Sequence, residues 1–173
     1  MRYAAETSVS SEKSKGEIEA TLRRYGADQF GSMWEDGRAA IQFRIKSKMV
    51  RFNLPLPDQR DDEFAKGGCI RAGWHDEDPT HLSHSRGCFA PRPPEVSARL
   101  WEQACRQRWR ALALAIKAKL EAVECGITTF EEEFLSHLVV PGQKGKTVGQ
   151  MIISQIESAY VTGKTPSLGW EEK

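Results

Sequence analysis

The sequence lacks a long apolar segment. No apolar run approaches the roughly 18–20 residues needed to cross a bilayer. The first residues, 1–6, also lack the apolar stretch of a secretory signal peptide. We therefore expect a cytoplasmic protein with no membrane partner. At 173 residues the chain is long enough for one well-formed core, so we expect a single domain.

Several known catalytic motifs are also missing. The chain contains no Gly-x-Ser-x-Gly, His-Glu-x-x-His or Gly-x-Gly-x-x-Gly sequence. Residues 142–147, Gly-Gln-Lys-Gly-Lys-Thr, resemble the end of a phosphate-binding loop, but the first glycine of that motif would fall at Val140. We interpret this segment as a solvated turn that caps a helix.

Cysteine is scarce, with four residues in the chain, and half of them lie in one polar segment. Residues 58–94 are rich in Asp, Gly, His, Ser and Pro, which predicts an irregular loop. Thiol and imidazole side chains are preferred zinc ligands, and this loop contains Cys69, His75, His81, His84 and Cys88. The hypothesis is a structural zinc site. Because the spacing matches no standard zinc motif, the alternative is a mobile loop with incidental histidines. We expect no other cofactor.

The same loop has two acidic runs, at 58–63 and 75–78. Clustered carboxylates can hold the two cations of a metal-dependent nuclease, which is one alternative function. Acidic runs in loops are more often simply solvated.

Alternating apolar and polar residues predict an antiparallel meander. Residues 29–34 form the first strand, and Asp-Gly at 36–37 favours a hairpin turn. Ile41, Phe43 and Ile45 then alternate with polar residues, as do Val50, Phe52 and Leu54. We place the second turn at Ser47-Lys48. One face of this sheet should pack on the core and the other should be basic.

Helical periodicity predicts four helices around this sheet. Ser14 to Glu17 has the form of a capping box for a short first helix, with Ser10 and Ser11 as rival caps. Residues 95–124 form a long helix whose apolar stripe runs from Trp101 to Val123. Two shorter helices follow, beginning near residues 130 and 147. The last should bury Ile152, Ile153, Ile156 and Tyr160. The predicted fold is a single α+β domain over residues 1–162, with a flexible tail at 163–173.

The net charge of +1 conceals segregated charge. No acidic residue lies between positions 38 and 54, and the long helix has a second, basic stripe. Lysine and arginine on one surface favour binding to a phosphate backbone, although the same pattern fits a solvated face. The predicted nucleic-acid-binding residues are Arg38, Arg44, Lys46, Lys48 and Arg51 on the sheet, and Arg99, Arg106 and Arg110 on the helix.

Three segments resemble a known group of proteins. Residues 24–27, Arg-Tyr-Gly-Ala, and the long-helix segments 100–112 and 116–124 are similar to small uncharacterised proteins encoded by bacteriophages and prophages. The resemblance implies no catalytic residue, but it implies a setting in the cytoplasm of a bacterial host. Phage proteins of this size often handle DNA or block host defences.

Taken together, these patterns predict a non-enzymatic phage accessory protein that binds nucleic acid. The alternative is a protein-interaction module that inhibits a host defence nuclease or a CRISPR effector. Such a module would present the acidic residues 131–133 as a phosphate mimic.

Overall fold

The computed structural model describes residues 7–35, 37–67 and 91–165. The fold is α+β, as predicted, with a three-stranded antiparallel sheet, a long helix, an N-terminal helix and C-terminal helices. In chain order, the elements are α1 (Ser11–Arg24), β1 (Gln29–Glu35), β2 (Arg38–Ile45), β3 (Lys48–Pro55), α2 (Asp62–Ala65), α3 (Pro94–Glu124), α4 (Phe130–Phe134), a 3₁₀ turn (Leu135–His137) and α5 (Val148–Thr162).

The three strands form a meander in the order β1-β2-β3. Gly37 supplies the positive φ of the first turn, at 68°. The second turn is formed by Lys46 and Ser47, with φ values of 50° and 64°, since Ile45 pairs with Lys48. The prediction of Ser47-Lys48 is therefore wrong by one residue. A two-residue turn in which both φ values are positive matches the twist of the flanking strands. Lysine and serine disfavour a positive φ, but the pairing of β2 with β3 outweighs that cost.

One face of the sheet forms the hydrophobic core with the helices. Ile41, Phe43, Val50 and Phe52 point to this inner face and are almost completely buried. They share one cluster with side chains of three helices: Ile18 and Leu22 of α1, Trp109, Leu112, Ile116 and Leu120 of α3, and Phe130 and Phe134 of α4. Strand residues of the other parity point away from these helices and form the outer face.

Local signals position the ends of α1 and α3. The Oγ of Ser10 accepts a hydrogen bond from the Lys13 amide at 3.1 Å, so Ser10 caps α1 and Ser14 does not. Ser14 is fully buried inside the helix. Pro94 is the first residue of α3, where its missing N–H leaves no hydrogen bond unmade. The predicted start of α3 at residue 95 is one residue late.

The beginning of the predicted loop is anchored to α3. Phe64 of α2 is buried, and the indole N–H of Trp101 donates to the carbonyl oxygen of Pro57 at 2.8 Å. Residues 62–65 therefore form a helical turn within a segment that we predicted to be irregular.

The segment after α4 covers the β3 edge of the sheet. The Val139 amide donates to the Met49 carbonyl oxygen at 2.8 Å, and Val139 also bridges to Thr147. Thr147 and Gln150 then form a reciprocal capping box that starts α5. The segment 142–147 is thus a capping turn, as we interpreted it.

The helix α5 has no buried residue. Ile153 is 56% exposed and Tyr160 is 88% exposed, whereas Ile152 and Ile156 are partly buried. The prediction that these four side chains are buried is wrong. The main contact of α5 is with the 3₁₀ turn, where a Cβ on Gly149 would lie 2.8 Å from the Ser136 carbonyl oxygen. Within the described ranges, no helix has the length and apolarity needed to cross a membrane.

Candidate nucleic-acid interface

The outer face of the sheet contains three of the predicted basic residues. Arg38, Arg44 and Arg51 have the strand parity opposite to Ile41, Phe43 and Phe52, so they point away from α3. Lys46 lies exposed in the second turn. The other outer-face residues of β2 and β3 are uncharged, namely Ala40, Gln42, Met49, Asn53 and Pro55.

Two of the predicted cations on the sheet have carboxylate partners. The Nε of Arg44 donates to both carboxylate oxygens of Asp28, at 2.8 and 3.0 Å, and this contact lowers the pKa of Asp28. Lys48 has the parity of Val50 and pairs with Glu131 of α4, which lowers the pKa of that carboxyl group. Both pairs are exposed to solvent, so each lysine or arginine can exchange its partner for an external anion.

Arg38 and Arg51 are different because neither forms an ion pair with a side chain that the structure describes. The Nε of Arg51 donates to the neutral Oδ1 of Asn53 at 3.1 Å. The backbone of Arg38 pairs with that of Glu35 on β1. Among the described side chains, neither charge has a carboxylate partner; Glu35, which is opposite Arg38 in the register, also has the outer-face parity.

The capping turn adds further positive charge beside Arg51. A Cβ on Gly145 would lie 3.3 Å from Nη1 of Arg51, so the turn packs directly against the guanidinium group. Lys144 and Lys146 flank this glycine and are exposed. Sequence reasoning missed these two lysines as part of the interface. The Gly-Lys-Gly-Lys pattern is visible in the sequence, but its proximity to β3 depends on the bridge at Val139.

Two depressions lie on the outer face. The first has a volume of about 420 Å³, and Arg38, Arg51, Asn53 and Gln150 supply its polar groups. The second has a volume of about 540 Å³ and lies over Gln29, Gln42 and Met49. The first depression is therefore a concave site next to cationic groups, whereas Asp28 lines the second.

The helix stripe occupies the other side of the sheet. Arg110 pairs with Glu17 of α1, and Arg106 pairs with Glu102 at 3.2 Å. Arg99 is exposed. Because α3 packs on the inner face, these three residues do not converge with the outer-face arginines on one surface.

The acidic residues that follow α3 are held by contacts within the protein. Besides the Glu131 pair with Lys48, the carboxylate of Glu132 accepts from the Thr129 amide at 2.9 Å in a capping box. Glu133 pairs with Lys119 at 2.8 Å. All three carboxylates of the proposed phosphate mimic thus have protein partners.

The predicted zinc ligands, Cys69, His75, His81, His84 and Cys88, lie outside the described residues, as does the acidic run 75–78. Of the first acidic run, Asp58 pairs with Arg60 at 3.3 Å and Asp62 with Lys66 at 2.8 Å. Among residues 7–35, 37–67 and 91–165, no group of three or more His, Cys, Asp and Glu side chains could hold a metal ion.

Comparisons with protein-family models, with curated proteins and with solved structures found no match for this chain. The resemblance to bacteriophage-encoded proteins therefore stays a prediction.

Proposed function

We propose that this protein is a non-enzymatic phage accessory protein that binds nucleic acid through the outer face of its sheet. The observation that supports the proposal most strongly is the pair Arg38 and Arg51, which share one cleft and have no described carboxylate partner. Lys46, Lys144 and Lys146 are exposed in turns at or near this face.

The physical basis is the release of counterions. A strand of nucleic acid is surrounded by condensed cations, and each phosphate that an arginine or lysine neutralises releases some of them. A cation that has no ion pair to break gains more from a phosphate, and among the described side chains Arg51 has no carboxylate partner. The outer face is therefore favoured over the helix stripe, where Arg106 and Arg110 already have carboxylate partners.

The test is fluorescence anisotropy with labelled single-stranded and double-stranded oligonucleotides over a series of salt concentrations. We expect binding that weakens as salt rises. Arg38→Ala/Arg51→Ala should weaken binding at every salt concentration. If both arginines contact phosphates, the negative slope of log K against log salt should also become shallower by about 1.4 for a single strand, at ~0.7 per contact.

Arg99→Ala/Lys117→Ala is the matched control. It removes two positive charges from exposed positions on α3, on the other side of the sheet. We expect its affinity to stay close to that of the unaltered protein. An equal loss in both double variants would contradict an interface on the sheet, and no binding at low salt would contradict nucleic-acid binding altogether.

The two alternatives have less support from the geometry. An inhibitor of a host defence nuclease or CRISPR effector would present the acidic corner, but Glu133 is only partly exposed in its pair with Lys119 and the Glu132 carboxylate caps α4. For a metal-dependent nuclease, the described aspartates at 58 and 62 pair with basic side chains. Pull-down from nuclease-treated lysate and elemental analysis of the purified protein test these alternatives directly.

A further inference from the structure

The first outer-face depression, which we call the arginine cleft, lies between β2, β3 and the first turn of α5. Its walls include Arg38, Arg51, Asn53 and Gln150, and its floor includes Ala40. Ala40 is only 7% exposed although it belongs to the outer face. The cleft thus has a recessed floor beneath two cationic side chains.

The electrostatics of the arginine cleft favour an anion. Two guanidinium groups line it, and none of its described lining residues is acidic. A guanidinium group has five N–H donors, and Arg51 uses one of them on Asn53. The planar arrangement of these donors matches the oxygens of a phosphate group as well as those of a carboxylate, and the proposed function selects phosphate.

The strand register separates the two cations. Arg38 pairs with Pro55, whereas Arg51 lies four residues before Pro55 on the same strand. At about 3.3 Å per residue, the two Cα positions are offset by about 13 Å along the strand. Ala40 and Asn53 form a pair between them. A ligand with two anionic groups and a compact part over Ala40 can therefore engage both arginines.

A nucleotide unit of an extended strand has this shape, because its nucleoside lies between two phosphates. The apolar surface of Met33 and Pro55 can contact a base, and the amides of Asn53 and Gln150 offer both donors and acceptors for its edge. The cleft volume of about 420 Å³ also falls within the range of about 300–1,000 Å³ that is usual for small-ligand sites.

We propose that the arginine cleft binds one unpaired nucleotide of a single strand, with its flanking phosphates on Arg38 and Arg51. This inference rests on the proposed function and specifies its substrate class. In a duplex the base is stacked and paired, so reaching the recessed floor over Ala40 would require the base to leave the helix. The protein therefore prefers single strands to duplexes.

Ala40→Leu tests this inference without changing any charge, because the larger side chain fills the floor. We expect the unaltered protein to bind a labelled single strand about tenfold more tightly than the matching duplex. The substitution should remove about that same factor from single-strand binding, as expected when the contacts of one base are lost, and leave duplex binding nearly unchanged. Asn53→Leu, at an exposed position, is a second variant with the same expected effect in case Ala40→Leu lowers stability.

Ala118→Leu is the matched control, since it makes the same substitution at an exposed position on α3. It should bind like the unaltered protein, and thermal unfolding checks that every variant is folded.

Equal affinity for single strand and duplex, or unchanged single-strand binding in folded cleft variants, would overturn the inference while nucleic-acid binding remained. A nucleoside monophosphate or inorganic phosphate that binds as tightly as the strand would also overturn it. Absence of all nucleic-acid binding would refute the proposed function itself.

Discussion

His137 shows how a single side chain couples stability to pH. Its ring stacks on Phe52 with a centroid distance of 4.0 Å, and it is partly buried. Burial lowers the pKa of His137 from the usual 6.5, and the positive charge of Lys119 lowers it further. A backbone contact with Arg51 acts in the opposite direction. The folded protein therefore favours the neutral ring.

The first prediction concerns the pH dependence of unfolding. Because the unfolded chain binds a proton at His137 more readily, this contribution to stability is complete above the unfolded pKa of about 6.5 and decreases as pH falls toward the folded pKa. His137→Phe keeps an aromatic ring on Phe52 but cannot titrate. We expect the variant to lose less stability than the unaltered protein between neutral and mildly acidic pH, measured by urea denaturation. Parallel stability curves for the two proteins would contradict this prediction.

For single residues, the sequence predicts the face on which a side chain lies better than it predicts the partner of that side chain. The alternation along β2 and β3 correctly placed Arg38, Arg44 and Arg51 on a face that points away from the core. It could not show that Arg110 pairs with Glu17, which is 93 positions away, because long-range partners depend on how the helices pack. The distinction between neutralised and unpartnered arginines therefore required the structure.

At the scale of elements, local chemistry determined most boundaries. Strand alternation and the Asp-Gly pair located all three strands. The second turn was misplaced because neither Lys46 nor Ser47 favours a positive φ, so pairing between β2 and β3 sets its position. Three serines near α1 satisfy a capping pattern almost equally, and only Ser10 accepts the amide hydrogen bond. Where several local signals compete, tertiary contacts determine where the turn or the helix end lies.

The second prediction concerns the capping box of α5. Thr147 is 4% exposed; its hydroxyl accepts from the Gln150 amide at 3.3 Å, and the Thr147 amide donates to the Gln150 side chain at 3.0 Å. Thr147→Ala should cost about 1 kcal/mol of helix stability. Because α5 packs mainly on the 3₁₀ turn, we expect faster amide hydrogen exchange within α5 and little change in α3.

Thr147→Ser is the control for this experiment, since it keeps the hydroxyl group. It should preserve most of the protection of the α5 amides against hydrogen exchange. If Thr147→Ala accelerates exchange in α3 as much as in α5, the two helices unfold together and the prediction is wrong.

Across the whole molecule, packing is uneven. Helices α1, α3 and α4 share one core with the inner face of the sheet, whereas α5 is outside it. The periodicity of α5 suggested a buried face because a local pattern identifies an apolar side without showing whether anything covers it. The same limit explains why the cleft was not predicted, since Gln150 reaches it only through the path of the chain around the β3 edge.

The third prediction compares the same substitution in these two environments. Ile116 is completely buried in α3, and Ile153 is 56% exposed in α5. Ile116→Ala should lower the free energy of unfolding by about 2–5 kcal/mol, because it leaves a cavity in the core. Ile153→Ala should change it by less than about 0.5 kcal/mol, since alanine also favours a helix. Chemical denaturation of the two variants measures both values, and similar losses would contradict the division between core and α5.

The covered β3 edge has a consequence for self-association. The hydrogen bond from Val139 to Met49 and the bridge between Leu138 and Val50 occupy the first part of that edge, whereas β1 pairs with β2 on one side and with no described strand on the other. An unpaired strand edge is a template for adding another strand. Addition of a foreign strand is therefore expected at β1. Ser32→Pro is placed to block it, because the amide of Gly31 faces β2 in the ladder whereas the amide of Ser32 faces the open edge.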